Sequence, residues 1–487
     1  MQPNTGTACR AMNQAARGSA GLFQTQPSAP QIGLSAPVAC GTLNGSMQQI
    51  NVGMIGGGTV GSGVFHHWQR NGQLMASRLG VGLRLTKVAV KALDERRPYE
   101  IPRALLTTDW QSVVNDPGVQ MVVELVGGTG IAKTMILAAL RRGKPVVTAN
   151  KALLSAHGEE LFAAAREHRA NLYYEASVAG GIPIIKAMRE AFVGNRFTHL
   201  YGIVNGTCNY ILTRMKQEGA EFADVLADAQ KHGYAETPPD LDLDGFDAEH
   251  KTGILASLAH GFWVKPQDIY VEGIRHIAKL DMHFAQQLGY TIKLLGIVKK
   301  LDRAKTRARN GARIQVSVYP ALIPDAHVLA SVNGVFNAVF VRGDVVGDTL
   351  FYGRGAGKDA TASAVLSDLA DAALDLAHGS HGRVPPFVPH EHAGAVAPIG
   401  EVSSRYYVRL SVLDRPGVMA KITAILGAAR IGISSVIQPA GHEGESVPLI
   451  LMIHDAPNAA MAKALAKIAK LPVVKAAPVM IRVESFE

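Results

Sequence analysis

A glycine-rich turn between an apolar run and a helix constrains this chain more than any other feature. Val52 to Ile55 is short and apolar, Gly56-Gly57-Gly58-Thr59-Val60-Gly61 follows, and a helical pattern continues to about Gln73. The spacing Gly56-x-Gly58-x-x-Gly61 asks for a strand, a tight turn and a helix. Gly56 permits the turn, Gly58 lets backbone approach a pyrophosphate, and Gly61 lets the helix pack on the strand. The unpaired N–H groups around Thr59 and Val60 then face the phosphates. A glycine turn of this kind also occurs as plain structure, but its place between strand and helix points to a bound dinucleotide.

Strand and helix patterns alternate downstream. Arg84 to Leu93 is β-rich, Val119 to Val126 is continuously apolar, and helix 131–142, strand 145–148, helix 158–168 and strand 171–175 follow. The fold class predicted is α/β, with a Rossmann-type doubly wound parallel sheet over residues 47–180, completed by a returning segment at 345–378. From 181 to 344 the spacing changes, with helices at 182–192, 208–217, 221–231 and 247–260 and strands at 198–204, 291–299, 313–319 and 335–342. This predicts a separate α+β domain. A strand at 345–352, a turn at 353–357 and a helix at 359–377 precede a Gly-, Pro- and His-containing stretch, 379–401, which reads as a linker. The last segment, 402–487, reads strand, helix, strand, strand, helix, strand, the βαββαβ order of a ferredoxin-like domain.

Composition excludes several classes. A chain of 487 residues that is 47% hydrophobic and 18% charged supports two or three globular domains. No apolar run reaches the roughly 18 residues of a membrane span. The net charge of +9 is mild for this length and its basic residues are not interleaved with aromatics, so no nucleic-acid partner is expected. Two of the three cysteines, Cys9 and Cys40, fall in an acid-free leader over residues 1–46, and the third is Cys208. No disulfide framework follows, and a cytoplasmic location is expected. The leader reads as disordered and dispensable, with translation from Met47 or a weak transit peptide as the alternatives.

The second strand should end in an acid that binds a ribose hydroxyl, and Asp94 is there, but Lys91 precedes it and Arg96-Arg97 follow. A cation at this edge favours a 2′-phosphate, hence NADP(H), while Asp94 keeps NAD(H) open. The same charges would also suit a solvated loop.

Longer stretches carry a specific resemblance. Val122-Val123-Glu124-Leu125-Val126-Gly127-Gly128, Val147-Thr148-Ala149-Asn150-Lys151, Glu175 through Pro183, Asn205-Gly206-Thr207-Cys208-Asn209-Tyr210-Ile211 and Gly233-Tyr234-Ala235-Glu236 through Asp242, Gly245, Asp247 and His250-Lys251 occur in order. With Tyr352-Gly353-Arg354-Gly355-Ala356-Gly357 they resemble the homoserine dehydrogenase family over about residues 50–375. Cys208 stands where many members carry Thr, and Thr237-Pro238-Pro239-Asp240 replaces a commoner Ala-Asp-Pro-Thr. No kinase-like region precedes the glycine turn, so the form resembled is the monofunctional one. Tyr406 to Met419, with Asp414-x-Pro416-Gly417, resembles an ACT domain.

The resemblance implies reversible reduction of L-aspartate 4-semialdehyde to L-homoserine with a nicotinamide cofactor, in a homodimer or homotetramer. It implies Lys251 as proton donor, Asp247 as its orienting or substrate-binding partner, Lys151 as an electrostatic stabiliser beside the cofactor, and Glu236 as ligand of the substrate ammonium. Asp247 and Lys251 are four apart, so a helix puts both on one face; the ordinary fate of such spacing is a surface ion pair. Gly127, Ala149 and Gly355 are implied at the cofactor together with Gly56 to Gly61 and Lys91. Glu175, Val178, Gly180 and Ile182 resemble the family's sodium-binding loop, in which carbonyls and a carboxylate hold the cation. Asp414 and Gly417 are implied at an effector site, with L-threonine as the effector. His66, His67 and His250 read as surface or packing residues, and no transition metal is expected. Two other readings stay open: another Rossmann dehydrogenase with an ACT tail, such as a phosphoglycerate dehydrogenase, and a non-catalytic amino-acid sensor.

Overall fold

Hydrophobic runs bounded by glycine turns place six parallel strands in one sheet. The structure is a computed structural model that describes residues 47–301, 312–439, 442 and 444–486. The leader, Cys9 and Cys40 lie outside the described residues. The first sheet contains β1 (Gln49–Ile55), β2 (Gly82–Ala89), β3 (Leu106–Thr107), β4 (Met121–Glu124), β5 (Val146–Thr148) and β6 (Leu172–Tyr173), in the order β3-β2-β1-β4-β5-β6. Helices α1 (Thr59–Leu79), α2 (Trp110–Val114), α3 (Ile131–Leu140) and α4 (Lys151–Glu167) connect them. The chain order reverses between β1 and β4, and such a switch point opens a crevice at the strands' carboxyl ends.

Several elements differ from the sequence expectations for local reasons. Helix α1 runs past Gln73 to Leu79, where Gly80 ends it in the left-handed conformation, φ 69°. Helix α4 begins at Lys151 rather than 158. Asn150 caps it by accepting the Leu153 amide at 3.1 Å, and Gly158 lies inside it where a Cβ would come within 2.2 Å of Trp263.

The second sheet is larger and mostly antiparallel. After α5 (Ile184–Lys186), which continues as a wide turn to Ala191, come β7 (Phe197–Ile203), α6 (Gly206–Glu218), α7 (Phe222–Lys231), α8 (Asp240–Leu243) and α9 (Phe246–His260). Then follow β8 (Tyr270–Val271), α10 (Lys279–Gln287), β9 (Tyr290–Lys300), β10 (Arg313–Pro324), β11 (Phe336–Gly343), β12 (Gly347–Arg354) and α11 (Lys358–Ala377). Helices α8 and α10 were not anticipated. The return to the first sheet is made by α11 alone, whose Ala362, Val365 and Leu369 share a buried cluster with Val52 and Val64. Strand β12 pairs with β11 in the second sheet instead.

The segment expected as a linker is strapped to the body. Phe387 is buried against Phe162 and Trp263, Tyr174 donates to the Pro386 carbonyl at 2.6 Å, and β13 (Ala395–Val396) pairs with β10. The C-terminal segment comprises β14 (Ser403–Leu413), α12 (Val418–Ala428), β15 (Ile433–Ile437), β16 (Ser446–Pro457), α13 (Asn458–Ile468) and β17 (Val479–Val483). Its strands lie in the order β17-β14-β16-β15, and they form no sheet of their own. Pairing of Ala321 with Arg482 and Leu322 with Val483 continues the second sheet through β10 into β17, giving eleven strands.

Buried polar ties hold this junction. Asp281 on α10 is fully buried and accepts from Arg409 at 2.7 and 3.0 Å and from the Tyr407 hydroxyl at 3.0 Å. Glu484 accepts from Tyr319 at 2.8 Å and pairs with Lys299, while Phe486 stacks on His327 at 3.7 Å. Removing one partner from a buried ionic contact leaves the other desolvated and uncompensated. Asp281→Ala should therefore cost about 3 kcal/mol, read as a lower urea midpoint, and an unchanged midpoint would show that the junction does not rest on this carboxylate.

Candidate active site

The turn after β1 is shaped for an anionic ligand. Gly56 has φ 105°, and a Cβ there would lie 2.6 Å from the Leu125 carbonyl. A Cβ on Gly61 would lie 2.0 Å from the Gly56 oxygen, so neither position accepts another residue without displacement. Around Gly58 there is open space, and α1 starts with no capping side chain and no acid in its first turn. Its Thr59 and Val60 amides are thus left to an outside partner. A cavity of about 540 Å³ opens here, lined by Gly56, Gly57, Gly58, Lys91, Leu125 and Val126 among others.

The two arginines after β2 have different fates. Arg97 folds back, donating to the carbonyls of Ala92 at 2.7 Å and Glu95 at 2.8 Å, and its Nε is buried beneath Gly57 without a partner. Arg96 is exposed beside Asp94 on a neighbouring cavity of about 780 Å³. The glycine cradle, the open helix start and the orphaned Nε fit a dinucleotide laid across β1 and β4.

The loop after β4 joins this crevice to a second one. Glu124 is fully buried; its carboxylate accepts the Val126 amide at 2.7 Å, the Gly127 amide at 3.1 Å and the Thr148 hydroxyl at 2.7 Å. Gly127 adopts φ 80°, and Asn150 donates to the Gly128 carbonyl at 2.8 Å. The second cavity, about 280 Å³, is lined by Gly127, Ala149, Lys151, Glu236, Asp242 and Asp247, with His250 also on its wall. Residues from three separate motifs thus meet at one place.

Asp247 is the centre of that wall. It lies in the first turn of α9, where a carboxylate suits the positive end of the helix. Its Oδ2 accepts from Lys251 at 2.7 Å and Asn205 at 2.9 Å, and its Oδ1 pairs with Lys151 at 3.2 Å. Burial alone would raise the Asp247 carboxyl, but the Lys251 and Lys151 ammonium groups outweigh it and hold it well below the usual carboxylate range. Lys151 is the first residue of α4; Asp247 offsets the unfavourable placing of a cation at a helix N-terminus.

The two lysines are differently exposed. Lys251 is buried behind Asp247, with its amine also donating to the Val204 carbonyl at 2.7 Å, whereas the Lys151 side chain is 41% exposed to the cavity. Asn205 links the cluster to Asp242 at 2.7 Å, and burial raises the Asp242 carboxyl. Glu236 is exposed and lines the same cavity.

No role follows from the sequence for Glu124 or Asn205, and His250 reads there as a surface or packing residue. A lone acid inside the apolar run 119–126 was a usable signal for Glu124. His250, expected at the surface or in packing, lines the cavity because it is one turn from Asp247 on the same helix.

The remaining expected sites lie elsewhere. Glu175, Val178, Gly180 and Ile182 form one loop against the Gly353–Gly357 turn: Gly181 donates to the Arg354 carbonyl at 2.9 Å, and Gly180 packs under the Gly355 carbonyl. The Glu175 carboxylate does not face into that loop; it accepts the Ile185 and Lys186 amides at 3.0 and 2.7 Å. Among the described residues no amide donates to the carbonyls of Val178 or Gly180, and Ala179 between them takes φ 50°. Gly355 packs on Asn337, where a Cβ would come within 1.9 Å. At the C-terminal segment Gly417 begins α12 with φ 82°, and Asp414 accepts from Gln438 at 3.0 Å.

Comparison with known proteins agrees with this geometry. Residues 56–175 match the family model described as homoserine dehydrogenase, NAD binding domain, and residues 183–370 match the one described as homoserine dehydrogenase. A homoserine dehydrogenase of Pseudomonas aeruginosa is 41% identical over 90% of this chain and 100% of its own. The crystal structure of a homoserine dehydrogenase from Thiobacillus denitrificans superposes with a TM-score of 0.82 at 42% identity, covering 90% of this chain and 99% of that one. A hyperthermophilic archaeal homoserine dehydrogenase in complex with NADPH superposes at 0.56 with 26% identity, covering 67% of this chain and 98% of its own. Fold and site together define a nicotinamide-dependent oxidoreductase acting on a CH–OH group. The chain belongs to the homoserine dehydrogenase family.

Burial pushes the Glu175 carboxyl up to about 7 from an ordinary 4.5. The folded protein then keeps a proton that the unfolded chain has lost, so this group's contribution is full below pH 4.5 and fades as pH rises towards 7. Glu175→Gln should therefore lose less stability than the parent between those limits, measured by urea unfolding at a series of pH values; equal slopes would refute the assignment.

Proposed function

We propose that Lys251 is the proton donor in the reversible reduction of L-aspartate 4-semialdehyde to L-homoserine, acting in the cavity between Lys151, Glu236 and Asp247. The observation that carries this reading is the Lys251–Asp247–Lys151 cluster, in which Asp247 and Lys151 line the cavity and Lys251 is buried directly behind Asp247. An ammonium has three N–H donors. Lys251 spends two on Asp247 and the Val204 carbonyl, and the third remains for a substrate oxygen.

In the reducing direction Lys251 hands its proton to the oxygen as negative charge grows there, and in the other direction it takes it back. Asp247 keeps that amine oriented, and Lys151 stabilises the developing charge from the cavity side. Glu236, aided by Asp242, takes the substrate ammonium. The nicotinamide, when bound, supplies the hydride in one direction and accepts it in the other. Gly56 to Gly61, Gly127 and Ala149 hold or shape its site, and the cations Lys91 and Arg96 suit a 2′-phosphate, which favours NADP(H) over NAD(H).

Two further elements of the reading concern regulation and ions. A monovalent cation such as sodium suits the free carbonyls of Val178 and Gly180, with Glu175 bracing the loop from behind. The C-terminal strand order β17-β14-β16-β15 with two helices is that of a ferredoxin-like ACT domain, and the turn at Asp414 to Gly417 is its candidate site for L-threonine. The working form is a homodimer or homotetramer. Among the described residues no helix is long and apolar enough to cross a membrane. The free thiol of Cys208 suits a reducing compartment, and the cytoplasm is the location proposed.

Lys251→Ala should lower turnover by about 10²-fold or more while leaving NADPH affinity within about twofold, measured by loss of reduced-nicotinamide absorbance and by fluorescence titration. Activity within a few-fold of the parent would reject the role. For Lys91→Ala the Michaelis constant for NADPH should rise about tenfold and that for NADH should not, one charge-assisted contact being worth about 1.5 kcal/mol; parallel changes would remove the phosphate assignment. The same assay with added threonine tests the effector.

A further inference from the structure

The substrate cavity's outer wall is α8, one turn long, carrying Leu241 and Asp242. So short a helix has little stability of its own. What holds it comes from the loop after β8. Ile274 donates its amide to the Leu243 carbonyl at 2.9 Å, and Gly273 lies so close that a Cβ would be 2.1 Å from that same oxygen. Arg275 then bridges both ends of the helix, its guanidinium donating to the carboxylates of Asp240 and Asp244.

The other end of this loop is held by the C-terminal segment. Arg482 on β17 is buried, donates to Glu272 at 2.8 Å, to the Tyr270 hydroxyl at 3.2 Å and to Asn458 at 2.8 Å, and stacks over Tyr270 and Tyr319 at 4.9 and 4.5 Å. Glu272 also donates its amide to Val318 of β10 at 2.8 Å. From Arg482 the contacts therefore run through residues 270–275 to α8, and from Asp242 through Asn205 to Asp247.

We propose that Arg275 and Arg482 are positioning residues for the substrate pocket: the C-terminal segment, through the 270–275 loop, sets where Leu241 and Asp242 stand. This rests on the assignment of that cavity to the substrate's amino-acid end. The Arg275 pairs are half exposed, and exposed ion pairs add little to folding stability. Their effect is geometric, so it is read in substrate binding. A guanidinium spans two carboxylates as a fork, which a lysine does not.

In Arg275→Ala the Michaelis constant for aspartate semialdehyde should rise about tenfold, with kcat, the constant for NADPH and the thermal midpoint nearly unchanged. Arg275→Lys should recover only part of the loss. Arg482→Met should raise the same constant, and the double variant should exceed the larger single effect by no more than about twofold, because both act through one loop. Glu236→Gln reports on the pocket itself. A rise in Glu236→Gln with none in Arg275→Ala overturns the inference and leaves the pocket standing, and no rise in either overturns both. Equal rises for both substrates with a lowered thermal midpoint would mean general loosening and also overturn it.

Discussion

The carboxylate of Asp247, buried between the ammonium groups of Lys251 and Lys151, is the contact on which the proposed substrate pocket depends. Each partner alone would be costly: an unpaired charge at this depth is worth several kcal/mol of destabilisation. Together they form a compact cluster in which every member is held by another. The cluster also joins the two sheets. Lys151 opens a helix of the parallel sheet, and Asp247 and Lys251 belong to a helix packed on the antiparallel one. The cavity at that seam is lined from Gly127 onward by the loop whose Leu125 and Val126 line the glycine-turn cavity.

The parallel sheet contributes direction. Its order reverses between β1 and β4, so the loops leaving those strands diverge and leave a crevice between Gly56–Gly58 and Leu125–Gly127. Glu124 stiffens the second of these loops from below by accepting two of its amides. The antiparallel sheet contributes continuity. Because β17 adds beside β10, the C-terminal segment shares the catalytic sheet and is no loosely tethered appendage. Asp281, Glu484 and Arg482 reinforce the seam with buried ionic contacts, which fix orientation more than a purely apolar seam would.

Much of the fold was legible in advance. The glycine turn, the alternation that builds the parallel sheet and the C-terminal element order all follow from local periodicity, which is a property of a few consecutive residues. The misjudged stretches share a cause. Residues 379–401 lack periodicity, and their course is fixed by distant partners: Phe387 packs between Phe162 and Trp263, Tyr174 holds the Pro386 carbonyl, and β13 pairs with β10. The strand at 347–354 was assigned to the wrong sheet because strand pairing partners are not written in a strand's own composition. Helix α8 carries two acids in four residues and no helical apolar periodicity, and it is held from outside by Arg275 and Ile274.

By itself the sequence determined which chemical groups are available and which neighbours share a helical face, Asp247 and Lys251 above all, because four-residue spacing is a local rule. It also carried motif identity strong enough to point to the family. Only the tertiary structure decided that Lys151 reaches Asp247 from a different sheet, that Asn205 ties Asp247 to Asp242, and that Lys251 is the buried partner while Lys151 faces the cavity. Those contacts join residues far apart along the chain, and their geometry is set by how helices and sheets close-pack rather than by any pattern within one segment.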